Sequence, residues 1–251
     1  DYLPMPMSSR ARFWIATVAA FLGVAVTLSL GQWQLNRAAQ KQTLQMAIDE
    51  QNKRPAIENT AWAATKDIAP WMHRRAVLRG QWMPQHTVYL GNRQMNGLPG
   101  FYVLTPLQVQ GADTAVVVQR GWVARNFQDR SQLPPVPTPM GDVVVVGRIA
   151  PPPAKLYEFT GPGGGAIRQN LDLSLFAAEI RQPVLPLSLV QTAATDPADA
   201  QALKREWPLP NAGVDKHHGY AAQWFGLAAL IAILYVWFQF ISPRRTLRQH
   251  G

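Results

Sequence analysis

Two long apolar runs stand near the ends of this chain, and between them apolar and polar positions alternate at short range. The first run, Phe13 to Leu30 (FWIATVAAFLGVAVTLSL), carries no charge over 18 residues. As a helix it is about 27 Å long, close to the hydrocarbon thickness of a bilayer. A signal peptide is the competing reading. The run is longer than the usual apolar region of one, however, and its exit, GQWQLNRAAQK, lacks a small-residue cleavage site, so a retained anchor is expected. The second run, Tyr220 to Ile241, is uncharged over 22 residues and reaches about 33 Å as a helix. Tyr220, Trp224 and Phe225 gather at one end of it and Tyr235, Trp237, Phe238 and Phe240 at the other, the aromatic belts of a spanning segment.

Beyond the first run, Trp33, Gln34, Arg37, Lys41, Leu44 and Ile48 keep a helical spacing, so the helix is predicted to continue to about Glu50, with Pro55 closing it. The pattern then changes to β-type runs: Arg75–Trp82, His86–Gly91, Phe101–Val109, Thr114–Val123 and Asp142–Ala150. Turn dipeptides between them argue for an antiparallel β-sheet or a partly closed barrel. SQLPPVPTPMG and GPGGGA read as loops. Asn170–Ile180 reads as a short helix capped by Asn170 or Asp172, and Leu185–Thr192 as a last strand. Val117, Val118, Trp122, Val144 and Val146 are the core candidates.

The fold class expected is therefore an α+β membrane protein, with two transmembrane helices flanking a β-domain that carries short helices. Its divisions are residues 1–12, a transmembrane helix at 13–32, an outer domain at 33–216, a second transmembrane helix at 217–241, and residues 242–251.

Charge orients this layout. Arg10 and Arg12 precede the first helix and Arg244, Arg245 and Arg248 follow the second, which puts both termini in the cytoplasm and the middle domain in the periplasm of a bacterial inner membrane. Arg37 and Lys41 are discordant, lying just outside the first helix on the side that should be poor in cations. The 24 Lys and Arg against 15 Asp and Glu give a net charge of +9, but five of those cations serve topology and no basic and aromatic ladder accompanies the rest. Membrane lipid is the expected partner, and nucleic acid is not.

There is no cysteine, which excludes disulfides, thiolate zinc, iron–sulfur ligation and thiol-based copper transfer. Met83, Met95 and Met140 form no dense thioether motif for copper either. No GxSxG, HExxH or paired-carboxylate spacing appears, and GPGGGA lacks the ending of a phosphate loop. No catalytic residues are assigned and no enzyme is expected.

Of five histidines, His73, His86 and His250 are isolated. His217 and His218 stand one turn before the second membrane run, and His217, Tyr220 and Trp224 fall at i, i+3 and i+7. An imidazole there, beside an aromatic and membrane-lined wall, suits haem iron. The competing reading is that both histidines mark the water interface as amphipathic residues do.

Four stretches, GQWQLNRAAQK, GLPGFYVLTPL, VVVQRGWVAR and HHGYAAQWFGLA, together with RQNLD (Arg168–Asp172), resemble the Surfeit locus protein 1 family. These are membrane-bound assembly factors of haem-copper cytochrome oxidase, and the likeness, of the bacterial type, spans residues 31–232. It implies a role in maturing oxidase subunit I, either by receiving haem a from haem a synthase or by holding the subunit during insertion. It implies a haem ligand three positions before a tyrosine, which is His217 before Tyr220; His218 is an adjacent histidine that the pattern does not require. The cofactor set implied is His217, His218, Tyr220, Trp224 and Arg37. Gln34, Arg37 and Lys41 match a WQxxRxxxK element and are assigned to partner binding, with Arg37 and Lys41 facing haem propionates or an acidic surface of the subunit. Packing of Arg37 on Trp33, with contact to lipid headgroups, is the alternative. Gly121 and Trp122 of the RGW block are read as structural. A scaffold that grips subunit I and binds no haem is the rival to the haem reading.

Overall fold

A computed structural model of the chain describes residues 8–64, 67–129, 132–157, 165–208 and 211–242. In chain order it comprises α1 (Ser9–Asn52), β1 (Ile57–Glu58), α2 (Asn59–Ala64), β2 (Arg75–Trp82), β3 (Val88–Met95), β4 (Leu98–Val109), β5 (Ala115–Ala124), β6 (Asp142–Ala150), β7 (Ile167–Arg168), α3 (Leu173–Ile180), β8 (Val184–Gln191), α4 (Pro197–Ala202) and α5 (Val214–Val236). These elements form two compact units, Asp1–Met46 with Leu209–Gly251, and Ala47–Pro208.

In the first unit α1 and α5 form an antiparallel hairpin. Both contain a segment long and apolar enough to cross a membrane. Along α1 the least exposed positions recur in steps of three and four, at Thr27, Gly31, Gln34, Ala38 and Lys41, and along α5 at Val214, His217, Ala221, Trp224 and Ala228. That is the heptad spacing of a coiled-coil seam. Small residues dominate it, because packing between apolar helices depends on close backbone approach. At Gly31 any Cβ would lie 2.6 Å from the Phe225 ring, so glycine is what admits that ring. Polar groups within the apolar stretch find partners: Thr27 bonds back to the Gly23 carbonyl at 2.8 Å, and Thr17 Oγ1 meets the Tyr235 hydroxyl at 2.9 Å.

In the second unit five strands close into a barrel in the order β2–β6–β8–β5–β4, with β4 returning to β2. β1 extends β2, while β3 and then β7 extend β4 outward. The expected barrel is thus closed, and it is not wholly antiparallel: β5 and β8 run parallel. The closure pairs Gly80 with Val109 and Trp82 with Leu107. A Cβ at Gly80 would stand 2.2 Å from the Gln108 carbonyl oxygen, so only glycine permits that approach. Leu78, Leu107, Val118, Val145, Ile149 and Leu189 fill the interior. A second cluster, with Leu90, Leu104, Val117 and Phe176, lies beneath α3.

Several elements differ from the sequence reading. In the valine run of β6, Val143 and Val145 face the core while Val144 is exposed and Val146 half-buried, since four successive valines carry no alternation from which to read the inward parity. His86 falls in a 3-10 turn, Pro84–His86, ahead of β3, because Pro84 removes a ladder donor there. Asp172 caps α3, accepting from the Ser174 and Leu175 N–H groups, while Asn170 accepts the Leu156 N–H at 2.7 Å. Trp122 is core as expected, and its indole donates to the Arg93 carbonyl at 2.9 Å. Residues 161–164 of GPGGGA, Arg244, Arg245, Arg248 and His250 lie outside the described residues.

The barrel also buries charge. The β4–β5 register pairs Val103 with Gly121 and Leu104 with Gln119, skipping Arg120 in a bulge. Arg120 is fully buried, 4.7 Å above the Trp82 ring, and donates to Thr138 Oγ1 at 2.6 Å and the Pro137 carbonyl at 2.7 Å. Its ionic partner is Asp199 of α4, which also receives Arg205 at 2.6 Å.

Candidate functional site

The residues singled out at the two helix junctions gather in the hairpin unit. α1 stays helical without a break past Leu30, so Gln34 lies about 6 Å further along the axis than the end of the apolar run. α5 begins at Val214, after Gly213, and places His217 about one turn before Tyr220. Antiparallel packing brings these two points level.

His217 Nδ1 lies 2.7 Å from Gln34 Oε1. Both side chains are half-buried in the seam, Gln34 between buried Gly31 and Ala38, and His217 between buried Val214 and Ala221. With the Gln34 amide oxygen as the acceptor, Nδ1 carries the ring proton in this pair. The lone pair then belongs to Nε2, one of the two ring nitrogens through which a histidine can bind a metal, and the other nitrogen makes the kind of hydrogen bond that orients metal-ligating histidines.

The other candidates distribute around this pair. Trp224 is half-buried two turns along the same seam, whereas Tyr220 and His218 are exposed. The i, i+3, i+7 set therefore splits, with His217 and Trp224 inside and Tyr220 at its edge. On α1 the seam takes Gln34 and Lys41, and leaves Trp33, Arg37 and Leu44 on the exposed flank. Lys41 Nζ donates to the Ala212 carbonyl at 2.9 Å, tying the start of α5 to α1. Arg37 Nη1 donates along its own helix to Gln40 Oε1 at 3.2 Å and remains exposed. Two cations thus flank the His217 layer, one facing solvent and one latching the hairpin.

A haem fits this donor set better than a bare metal ion does. Among the described residues no three His, Cys, Asp or Glu side chains converge as a metal site. A porphyrin supplies four of the iron's ligands itself and asks the protein for one imidazole, an apolar wall and cations for its carboxylates. His217, Trp224 and Arg37 are residues of those kinds on adjoining helix faces.

The pairing of Gln34 with His217 was the feature that sequence reasoning missed. Its signal lay in the phase of the two heptads, since Gln34 and His217 each occupy a seam position. The Arg120–Asp199 pair was missed as well; a bulge that turns an arginine inward leaves no mark in residue spacing.

A model of the SURF1 family matches residues 21–229 of the chain. Surfeit locus protein 1 of Arabidopsis thaliana is 30% identical over 135 residues, covering 50% of this chain and 38% of that protein. A SURF1-like protein of Rickettsia felis is 28% identical over 218 residues, 84% of this chain and 91% of its own length. Cytochrome oxidase assembly protein SHY1 of Saccharomyces cerevisiae is 24% identical over 101 residues, 40% of this chain and 26% of that protein. The chain thus spans less than half of the Arabidopsis and yeast proteins and most of the Rickettsia one.

Proposed function

Because the chain belongs to the SURF1 family, we propose that it assists assembly of cytochrome oxidase by holding haem a at His217 for insertion into subunit I. The observation that carries this reading is the Gln34–His217 contact at 2.7 Å, which leaves Nε2 as the open nitrogen at the end of both apolar runs. Haem a, when bound, supplies an iron that accepts an imidazole nitrogen and propionates that accept cations.

The chain's own residues divide the work. His217 holds, Gln34 orients it, Trp224 offers an aromatic wall, and exposed Arg37 neutralises a propionate. A single protein ligand at the rim of a two-helix seam makes a hold that can be given up, which suits a carrier better than a resident cofactor site. The haem arrives from haem a synthase and leaves to subunit I, and both exchanges take place at a membrane. In this layout α1 and α5 cross the bacterial inner membrane with both termini in the cytoplasm, lipid surrounds the hairpin, and the barrel unit faces the periplasm.

A second reading, a scaffold that grips subunit I without haem, draws on the barrel unit, where Phe127 and Tyr157 are 67% and 79% exposed. Aromatic side chains are enriched at protein–protein interfaces.

The visible spectrum of the protein purified after co-expression with the haem a synthesis enzymes separates the two. Bound haem a in the wild type and in His218→Ala, lost in His217→Ala, supports the carrier. Wild type without haem removes it and leaves the scaffold.

A further inference from the structure

The motif assigns Gln34 to partner binding, and its side chain reaches across the seam to His217. We infer that Gln34 is a positioning residue for His217, fixing the ring's tautomer and rotation so that Nε2 is the nitrogen offered to iron. The inference rests on the reading of His217 as the haem ligand.

Three observations carry it. The contact at 2.7 Å joins Nδ1 to the Gln34 amide oxygen, and with that oxygen as the acceptor the proton is on Nδ1. An unrestrained histidine in water favours the other tautomer, so this arrangement needs a cause, and Gln34 supplies it. The pair is also locked by its surroundings: Ala38 is fully buried and Ala221 is 2% exposed, so small residues bring the helix backbones close on either side and leave the glutamine little freedom. Imidazole torsion about its last bond is broad, and one hydrogen bond of this kind is sufficient to select one ring face.

The chemical character of the partner also matters. A carboxylate bonded to Nδ1–H makes the opposite nitrogen more basic and the metal bond tighter. A neutral amide orients the ring without that strengthening. The choice of glutamine at position 34 therefore sets an aligned but moderate ligand, as a protein that must pass its haem onward requires.

The test reads the tautomer directly, without haem. Protein labelled with ¹⁵N at the imidazole is prepared haem-free in nanodiscs as wild type, Gln34→Leu and Gln34→Glu, with His217→Ala identifying the resonances. The expected result is a protonated Nδ1 and a pyridine-type Nε2 at His217 in the wild type, loss of that preference in Gln34→Leu, and its rescue in Gln34→Glu. A protonated Nε2 in the wild type, or a spectrum unmoved by Gln34→Leu, overturns the inference, and the wild-type spectrum alone can do so even if a variant fails to fold. Haem a titrations then read the consequence: about 10- to 100-fold weaker binding in Gln34→Leu, and tighter binding with a lower reduction potential in Gln34→Glu. If the tautomer behaves as expected but no form binds haem a, Gln34 still positions His217 and it is the carrier reading that fails.

Discussion

Arg120 Nη2 stands 3.2 Å from Asp199 Oδ1 inside the barrel unit, with both side chains wholly withdrawn from solvent. The other carboxylate oxygen takes Arg205 at 2.6 Å, the Thr195 N–H at 2.8 Å and Gln191 Nε2 at 3.1 Å. One carboxylate thereby bridges two guanidinium groups and ties β5 to α4. Asp199→Asn should destabilise the barrel by about 3–5 kcal/mol, because it leaves buried positive charge without its counter-ion. Thermal unfolding of the full chain, followed through the fluorescence of the buried tryptophans, reads the loss. A change within experimental error would mean that the network is dispensable.

The same carboxylate makes the barrel sensitive to acid. Burial alone would push the Asp199 carboxyl up, but the Thr195 N–H, Arg205 and Arg120 together outweigh it and hold the group below the usual carboxylate range. A depressed value in the folded state means that the unfolded chain binds the proton first. The stability this group contributes is complete above about pH 4 and drains away as pH falls through the folded value. Denaturant midpoints measured down to that range should fall more steeply in the wild type than in Asp199→Asn; parallel curves would contradict the assignment.

Barrel closure depends on Gly80. Gly80→Ala forces a methyl group against the Gln108 carbonyl, a backbone atom that can yield only by opening the β2–β4 pairing. The expected cost is about 1–3 kcal/mol, as for other overpacked sites. Amide exchange should quicken at Val109 and Gln81, next to the closure, more than in β3. Uniform exchange across the unit would point to global rather than local damage.

On the helical hairpin, Arg37→Gln and Lys41→Gln should have different effects. Arg37 is exposed, so its loss should weaken haem a retention or capture of subunit I while leaving the hairpin intact. Lys41 holds the Ala212 carbonyl, so its loss should also loosen the start of α5. Oxidase maturation in cells carrying each variant, alongside proteolysis near residue 212, separates the two roles. Unchanged maturation in the double variant would remove both residues from the function.

Much of this architecture was legible in the chain because it rests on local rules. The apolar runs and the helix continuing past Leu30 follow from hydrophobic patterning, and the bounds of β2 and β6 from β-branched and aromatic composition between turn residues. Parity in Val143–Val146 does not, since a run of identical residues has no phase and only the partners of the strand choose its inner face. Nor does the parallel join of β5 to β8, which depends on a crossover through β6, β7 and α3. Gln34 and His217 were each visible as candidates but not as a pair, being 183 positions apart. Their contact is set by the register of two helices rather than by anything near either residue.

The place of β8 in the barrel has a consequence for the order in which the protein is made. β8 lies between β6 and β5, and without it the other barrel strands form only an open sheet. Its residues, Val184–Gln191, leave the ribosome after every other strand. The nascent chain must therefore carry exposed strand edges on both β5 and β6 from the completion of β6 at Ala150 until β8 emerges at Val184, and pairing over such sequence separations is slow. Closure and the arrival of α5 fall close together in time. Protection of those open edges in the interval is a demand this topology places on the cell that makes it.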